Sequence, residues 1–201
     1  EEVTDAQRSM GKKVVHASNY AMGPNTFALN ADIEVSEARR LLTLYHSRFP
    51  GLHQWHREIR DQISKTRMLV SLLGRPRRFL GPLTDDTFRS AYAFGPQSVV
   101  GEVTNRGLVK ITGDPRLENF ELLVTVHDST IGQRPIGSAT EVLETLKAIA
   151  ENLDHQFTAY GRTFRIPVDF KIGFAWGGLV EVKLTIESVT AALKELGYEA
   201  A

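Results

Sequence analysis

Four side chains near the start of the chain have types and spacing suited to binding a phosphate-bearing ligand. Arg8, Lys12, His16 and Tyr20 follow one another at steps of four residues, which places them on one face of a helix. Arginine offers a planar fork for phosphate oxygens, lysine a compact charge, and an aromatic ring can stack on a base. This basic–aromatic face would suit a triphosphate with a base attached. The alternative is an amphipathic helix whose basic stripe faces water.

Asp128 is the second candidate for chemistry. It follows the apolar run Leu122–Val126, which predicts a buried strand, and Thr130–Gln133 is the candidate partner strand. Asp128 would therefore lie at a hairpin tip. Carboxylate oxygens are the ligands that Mg²⁺ prefers, but two-metal phosphoryl transfer needs at least one more carboxylate. The alternative is an aspartate that only forms a turn.

Two further sets of residues have types that suit contacts with nucleic acid. The segment from Arg57 to Arg78 has an excess of five positive charges, seven bases against two acids, which suits a phosphate backbone or a solvated basic face. Arg89 and Gln97 are eight residues apart in a predicted helix and share a face. Arginine can hold a backbone phosphate and glutamine a groove or sugar edge, although such pairs also arise by chance.

Composition excludes several classes of protein. The 201 residues comprise 42% hydrophobic residues and 24 bases against 24 acids, and they include no cysteine. Disulfide scaffolds and thiolate metal sites are therefore excluded. No apolar run approaches the length of a membrane span, so we expect no membrane partner. The chain begins with Glu1 and enters the first helix almost at once, which we interpret as the start of a piece of a larger protein.

Hydrophobic periodicity predicts helices first and a mixed α+β part afterwards. The predicted helices are 4–21, Val35–Arg48, Leu52–Lys65, 85–112 with a kink at Gly95–Pro96, Ala139–Leu153 and Ile186–Leu196, with a short turn at Thr26–Asn30. The predicted strands are 67–73 with a return strand after Gly74, Leu122–Val126 with its partner, and Val168–Trp176.

Five motifs in this order resemble the C-terminal part of family A DNA polymerases, especially phage-type members, over about residues 4–180. Residues 8–23 resemble the fingers-helix motif, and residues 73–79 (Leu-Gly-Arg-Pro-Arg-Arg-Phe) resemble a Gly-Arg-Arg segment. The stretch from Arg89 to Gln97 is similar to the palm helix with its Pro-Gln element. Residues 126–128 resemble the motif of the second catalytic aspartate, and residues 169–173 with Trp176 resemble the closing strand.

The resemblance implies an incomplete right-hand fold, with helical fingers at 1–66 and the C-terminal half of an antiparallel-sheet palm at 67–201. It implies that Arg8 and Lys12 hold the incoming triphosphate. Lys12 would also act catalytically by donating a proton to the leaving pyrophosphate. Tyr20 would lie beside the templating base, and His16 where relatives carry an aromatic against the sugar.

The same resemblance implies roles for residues further along the chain. Asp128 would be a catalytic metal-binding aspartate, with His127 near the primer end. The remaining expected contacts with primer–template DNA are Arg75, Arg77, Arg78, Arg89 and Gln97. The expected ions are two Mg²⁺, one of them shared with an aspartate that is not in this chain.

The chain departs from the family pattern at three of these motifs. Ala21 stands where a glycine usually follows the tyrosine, so the hinge of that helix would be stiffer. Ala93 replaces a usual asparagine and Ser129 a usual glutamate. His-Asp-Ser also occurs in single-subunit RNA polymerases, whereas the Pro-Gln and Gly-Arg-Pro-Arg-Arg elements favour the DNA enzyme.

The function expected from the sequence is templated DNA synthesis from dNTPs at a primer 3′-hydroxyl. It would require an N-terminal polymerase part, either a separate chain or missing sequence, to supply the first catalytic aspartate. The resemblance implies a cytoplasmic location, in a bacterial host cell if the protein is phage-encoded. The alternatives are part of a single-subunit RNA polymerase, an inert nucleic-acid-binding remnant, and a globular domain with neither role.

Overall fold

The computed structural model describes residues 3–154 and 156–198. In that part of the chain the helices are α1 Asp5–Asn19, α2 Pro24–Ala31, α3 Val35–Arg48, α4 Gly51–Thr66, α5 Asp85–Gly113, α6 Ala139–Leu153 and α7 Ile186–Glu195, with a short 3₁₀ helix at Pro115–Leu117. The strands are β1 Met68–Val70, β2 Pro76–Arg78, β3 Glu121–Val126, β4 Ser129–Gln133, β5 Phe157–Ala159, β6 Arg162–Phe164, β7 Phe170–Ile172 and β8 Val180–Val182.

The strands pair as four antiparallel two-stranded sheets, each made of strands that are consecutive in the sequence. Leu69 faces Arg77 in β1–β2, and Val126 faces Ser129 in β3–β4. Thr158 faces Thr163 in β5–β6, and Lys171 faces Glu181 in β7–β8. The predicted α+β class, helices followed by antiparallel strands and packed helices, is confirmed.

Contacts divide the chain into two compact units, Glu1–Val99 and Val100–Ala201. The boundary falls within α5, and each unit is described by itself. The division into fingers at 1–66 and palm at 67–201 concerns function rather than compactness, and it stays a prediction.

The first unit has two hydrophobic clusters. One joins α1, α2 and α3 through Val14, Ala17, Phe27, Ala28, Ala31, Ala38 and Leu42. The other joins α4, β1 and the start of α5 through Ile59, Ile63, Leu69, Phe79, Phe88, Ala91, Tyr92 and Phe94. Each helix therefore has an apolar stripe buried against its neighbours and leaves its opposite face in water.

Helix α1 has well-defined ends. Thr4 and Gln7 form a capping box at its start, each side chain bonding the other's backbone N–H. Tyr20 is the C-cap, and Ala21 follows with φ at 52°, in the left-handed region. The short turn predicted at Thr26–Asn30 is wrong in extent, since a full helix begins at Pro24. Proline at the first helical position has its φ already set for the helix.

The second unit is built around one hydrophobic cluster. Its buried members are Ile111, Leu117, Leu143, Leu146, Ala148, Ile149, Phe170, Val182, Val189, Ala192 and Leu193. Ser138 and Glu141 form a capping box that begins α6, and the hydroxyl of Thr185 caps α7. These helices match the predicted bounds closely, because both their caps and their apolar periods are local in sequence.

A polar network also holds the second unit together. Asp114 accepts hydrogen bonds from Arg116 at 2.7 Å and from the side-chain amide of Asn152 at 2.6 Å. Arg116 reaches Glu151 on α6 at 2.6 Å. The side chain of Asp114 is only 10% exposed, and these bonds, from Arg116 above all, hold the pKa of that carboxyl well below its usual range.

Two predicted strands are shorter than expected. The strand predicted at 67–73 ends at Val70 because the chain turns at Ser71, whose carbonyl accepts from the N–H of Gly74 at 3.0 Å. Gly74 has φ at 94°, a conformation that glycine adopts without penalty. Of Val168–Trp176, only Phe170–Ile172 pairs. The sequence did not predict β5, β6 or β8.

The strand predicted at Leu122–Val126 is confirmed as β3, but the expectation that it is buried is wrong. Leu123 is 51% and Val124 43% exposed. The strand belongs to a two-stranded sheet, and the register shifts between Leu122 and Val124. Leu122 packs against the cluster of the second unit. An apolar run predicts a strand, but burial also requires an element that covers each face.

Candidate functional site

The basic–aromatic face forms as the spacing predicts. Arg8, Lys12 and His16 lie exposed on α1, and Tyr20 is half-buried at its C-cap. The rings of His16 and Tyr20 meet edge to face, with centroids 4.4 Å apart. Within the described chain, the guanidinium of Arg8 and the ammonium of Lys12 have no hydrogen bond or ion pair. Both cations are therefore available to an anionic ligand.

Two side chains from later helices hold the C-terminal end of α1. The Nε2 of Gln97 lies 3.5 Å from the hydroxyl of Tyr20. The Nε2 of His56 lies 2.9 Å from the backbone oxygen of Asn19. Tyr20 and Gln97, predicted from separate motifs, are thus in contact, and the sequence did not single out His56.

His56 is a buried histidine in a mixed aromatic and polar setting. It is 8% exposed, and its ring centroid lies 4.1 Å from that of Tyr92. Burial lowers the pKa of His56, the hydrogen bond with Asn19 opposes that shift, and the charges of His53 and Arg60 add to it. The ring is therefore neutral near pH 7. The imidazole lies on the apolar stripe of α4 with Ile59 and Ile63. Its place in that apolar period is the sequence feature that indicates a buried histidine.

The basic segment divides into cations held by the protein and cations left free. Arg77 donates to Ser90 Oγ at 2.8 Å and lies over the ring of Phe79 at 5.0 Å. In contrast, Arg75 and Arg78 are exposed, and their guanidinium groups have no partner within 3–154 and 156–198. Arg75 and Arg78 are thus better placed than Arg77 to bind a phosphate backbone.

On α5, Arg89 forms an exposed ion pair with Asp86 at 2.6 Å. The pair lies one turn apart on the same helix, and such exposed pairs contribute little stability. A phosphate can therefore displace Asp86 at small cost. Arg89 and Gln97 lie in one uninterrupted helix, as predicted, and that helix continues through Pro96.

Asp128 lies in the two-residue turn of the β3–β4 hairpin, as predicted. Val126 pairs with Ser129, which leaves His127 and Asp128 as the turn. Both are exposed, and His127 has φ at 57°, a left-handed conformation that costs a residue with a side chain about 1 kcal/mol. The carboxylate has no hydrogen bond or ion pair to any described residue.

Comparison with known proteins identifies the family. The family model described as DNA polymerase family A matches residues 1–178, which include the basic–aromatic face and Asp128. The chain belongs to DNA polymerase family A.

Family A relatives are much longer than this chain. DNA polymerase I of Geobacillus stearothermophilus is 26% identical over 187 residues, covering 88% of this chain and 20% of that protein. DNA polymerase I of Helicobacter pylori is 26% identical over 157 residues, covering 74% of this chain and 17% of that protein. DNA polymerase theta of Drosophila melanogaster is 21% identical over 201 residues, covering 91% of this chain and 9% of that protein. The chain therefore spans about a fifth or less of these relatives.

A solved family A structure has the same fold. The POL domain of Pol1 from M. smegmatis, in complex with DNA primer-template and dNTP, superposes with a TM-score of 0.65 at 21% identity. The match covers 76% of this chain and 28% of that one. The fold is thus a partial polymerase fold. None of the helices described is long and apolar enough to cross a bilayer.

One side chain of this family A chain has the chemistry to hold a divalent ion. Asp128 offers an exposed carboxylate that no other described group engages, which suits a hard divalent cation. Within the described ranges, no three His, Asp or Glu side chains form a group that could hold a metal ion.

Proposed function

We propose that this chain forms part of a DNA polymerase that adds dNTPs to a primer 3′-hydroxyl under the direction of a template. The observation that carries the proposal is the family A match across residues 1–178, which includes the basic–aromatic face and Asp128. Because no three His, Asp or Glu side chains among the described residues form a group that could hold a metal ion, the active enzyme would also need a further polymerase part that provides the other catalytic aspartate.

In the first unit, α1 would bind the incoming nucleotide. Arg8 and Lys12 are exposed and pair with no described residue, so their charges can neutralise the triphosphate. Lys12 would also donate a proton to the leaving pyrophosphate. Tyr20 would lie beside the templating base, and His16, in edge contact with that ring, would face the sugar. Closing of α1 over a matched nucleotide would select it.

Contacts with primer–template DNA are proposed along the first unit. Arg75 and Arg78, whose guanidinium groups have no partner in the described part of the chain, would bind backbone phosphates, and Arg77 would contribute charge from its fixed place on Ser90. Arg89 would exchange Asp86 for a phosphate, and Gln97 would contact a groove edge.

In the second unit, Asp128 would ligate a divalent ion, proposed as Mg²⁺, and His127 would lie near the primer end. Two such ions, when bound, supply activation of the attacking hydroxyl and stabilisation of the leaving oxygens. The contribution of this chain would be to hold one carboxylate at a two-residue turn, where no other described residue binds it.

A second candidate function is DNA binding without catalysis. Two observations favour it: no three His, Asp or Glu side chains of the described residues form a metal-binding group, and Ser129 and Ala93 stand in place of the residues usual in the family. The first proposal carries three further expectations: that the protein is phage-encoded, that the polymerase is split between chains, and that it acts in the bacterial cytoplasm. The second candidate function implies none of them.

Primer extension tests the proposal. The chain alone and the chain mixed with the polymerase part encoded upstream are given primer–template, Mg²⁺ and either dNTPs or rNTPs. We expect templated extension with dNTPs in the mixture only. Binding of primer–template without extension in the mixture would support the inert remnant, and extension with rNTPs would identify an RNA polymerase.

A further inference from the structure

We propose that His56 is a positioning residue for nucleotide selection, acting through its hydrogen bond to the backbone oxygen of Asn19. Asn19 is the last residue of α1, and Tyr20 follows it directly. The inference rests on the proposed function, because it takes Tyr20 as the ring beside the templating base.

The contact between α4 and α1 is short and part-buried. His56 Nε2 lies 2.9 Å from the Asn19 oxygen, and the imidazole is 8% exposed. The last carbonyls of a helix have no partner within the helix. His56 therefore supplies a donor to an acceptor that would otherwise be left without one in a poorly hydrated place.

The imidazole has little freedom to move. It lies against Tyr92, whose side chain is 2% exposed, with ring centroids 4.1 Å apart, and Trp55 is its neighbour at 5.2 Å. A neutral imidazole carries one N–H, so donation to Asn19 fixes the tautomer with the proton on Nε2. The charged and titratable groups acting on the ring include His53 and Arg60 on α4, and His46 on α3 interacts electrostatically with His56.

Three consecutive residues at the end of α1 are fixed in three different ways. His56 binds the oxygen of Asn19, Gln97 lies against the hydroxyl of Tyr20, and Ala21 has a left-handed backbone. Without His56, the carbonyl of Asn19 would turn toward water and carry the Tyr20 ring with it. Displacements of about 1 Å at a recognition residue are sufficient to lower catalytic selectivity.

A histidine that only packs α4 against α5 would behave differently, and substitutions separate the two roles. His56→Leu keeps bulk and removes the donor. His56→Gln keeps a side-chain N–H where Nε2 lies. His53→Leu is the matched control, since His53 is an exposed histidine on the same helix that stacks on His46 at 4.2 Å.

The first measurement uses the complete enzyme, this chain with its upstream polymerase part. We expect His56→Leu to raise KM for the correct dNTP about fivefold and to increase misincorporation about fivefold, with DNA affinity changed less than about twofold. We expect His56→Gln to restore both values, and His53→Leu to leave them unchanged. A lower thermal stability with unchanged KM and misincorporation would overturn the proposal.

The second measurement needs no catalysis. In the chain alone, we expect His56→Leu to accelerate hydrogen–deuterium exchange over residues 17–22 about fivefold and to leave α6 unchanged. Unchanged exchange at 17–22 would overturn the proposal. If exchange accelerates and the wild-type complete enzyme does not extend a primer, the proposed function fails, and with it the role of His56 in selection, while its structural contact stands.

Discussion

The side-chain amide of Gln97 lies 3.5 Å from the hydroxyl of Tyr20, although 77 positions separate the two residues in sequence. Tyr20 ends α1 and Gln97 lies on α5, and both belong to the first unit. The residue proposed to check the templating base is thus in contact with a residue proposed to touch the primer–template. We therefore expect a substitution at either residue to alter the position of the other side chain.

A double-mutant cycle tests this contact. The variants are Tyr20→Phe, Gln97→Ala and the double variant, and the quantity measured is the free energy of unfolding in urea. Because the bond is neutral and long, we expect a coupling energy of about 0.5 kcal/mol. Strictly additive effects of the two substitutions would show that the contact is absent in solution.

Replacing Asp128 tests the metal role. We expect Asp128→Ala to abolish primer extension by the complete enzyme, because a metal-binding carboxylate is lost, and to leave affinity for primer–template within about twofold, because exposed surface substitutions are mild. Glu144→Ala, at an exposed acid of α6 in the same unit, is the control and should extend normally. Extension retained by Asp128→Ala would exclude the metal role.

Lys12 has a matched control beside it in the sequence. Lys12 and Lys13 are both exposed, but Lys13 lies about 100° further round α1 and off the basic–aromatic face. We expect Lys12→Ala to lower kcat/KM for dNTPs at least tenfold with little effect on DNA affinity. Lys13→Ala should do neither. Equal losses of nucleotide use and DNA affinity with Lys12→Ala would indicate a general phosphate contact.

Two glycines of α5 differ in the space around them. A Cβ on Gly107 would lie 2.5 Å from Leu153 Cδ2 and 3.2 Å from the Asn152 oxygen, whereas a Cβ on Gly101 would meet no described residue within 4 Å apart from its chain neighbours and the adjacent helix backbone. We expect Gly107→Ala to destabilise the chain by about 1 kcal/mol through overpacking. Gly101→Ala should stabilise it by about 0.5–1 kcal/mol through helix propensity. Thermal unfolding measures both, and equal shifts in Tm would contradict the close approach.

The lowered pKa of Asp114 predicts sensitivity to acid. A carboxyl whose pKa is lower in the folded than in the unfolded state stabilises the fold above its ordinary pKa, near 3.8, and this stabilisation is lost as pH falls toward the folded-state pKa. We therefore expect Asp114→Asn to be less stable at pH 7 and to lose less stability than wild type between about pH 4 and 2. Urea unfolding at several pH values measures this. Glu144→Gln, the control, should keep the wild-type slope.

Features that depend on local sequence were predictable. The bounds of α6 follow from the helical spacing of its own apolar residues. The four-residue spacing of Arg8, Lys12 and His16 is enough to place them on one face of α1. The hairpin that carries Asp128 also follows from two neighbouring runs. Each of these depends on residues within about one turn or one hairpin of one another.

Features that depend on packing between distant elements were not predictable. The exposure of Leu123 and Val124 depends on which other elements cover β3. The pattern of apolar residues within the strand does not specify those elements. The bond from His56 to Asn19 and the contact of Gln97 with Tyr20 depend on how α4 and α5 meet the end of α1. Single-sequence patterns suggested a role for each of Tyr20 and Gln97, but not that they touch.

The match to the polymerase family ends at residue 178, but the hydrophobic core of the second unit extends further. Val182 on β8 is 5% exposed, and Val189 and Leu193 on α7 are 0% and 6% exposed. These side chains fill the cluster against α6 that the matched residues leave incomplete. A fragment trimmed at residue 178 would expose that apolar surface to water and would aggregate or melt early. The family model therefore ends short of the hydrophobic core that the second unit needs.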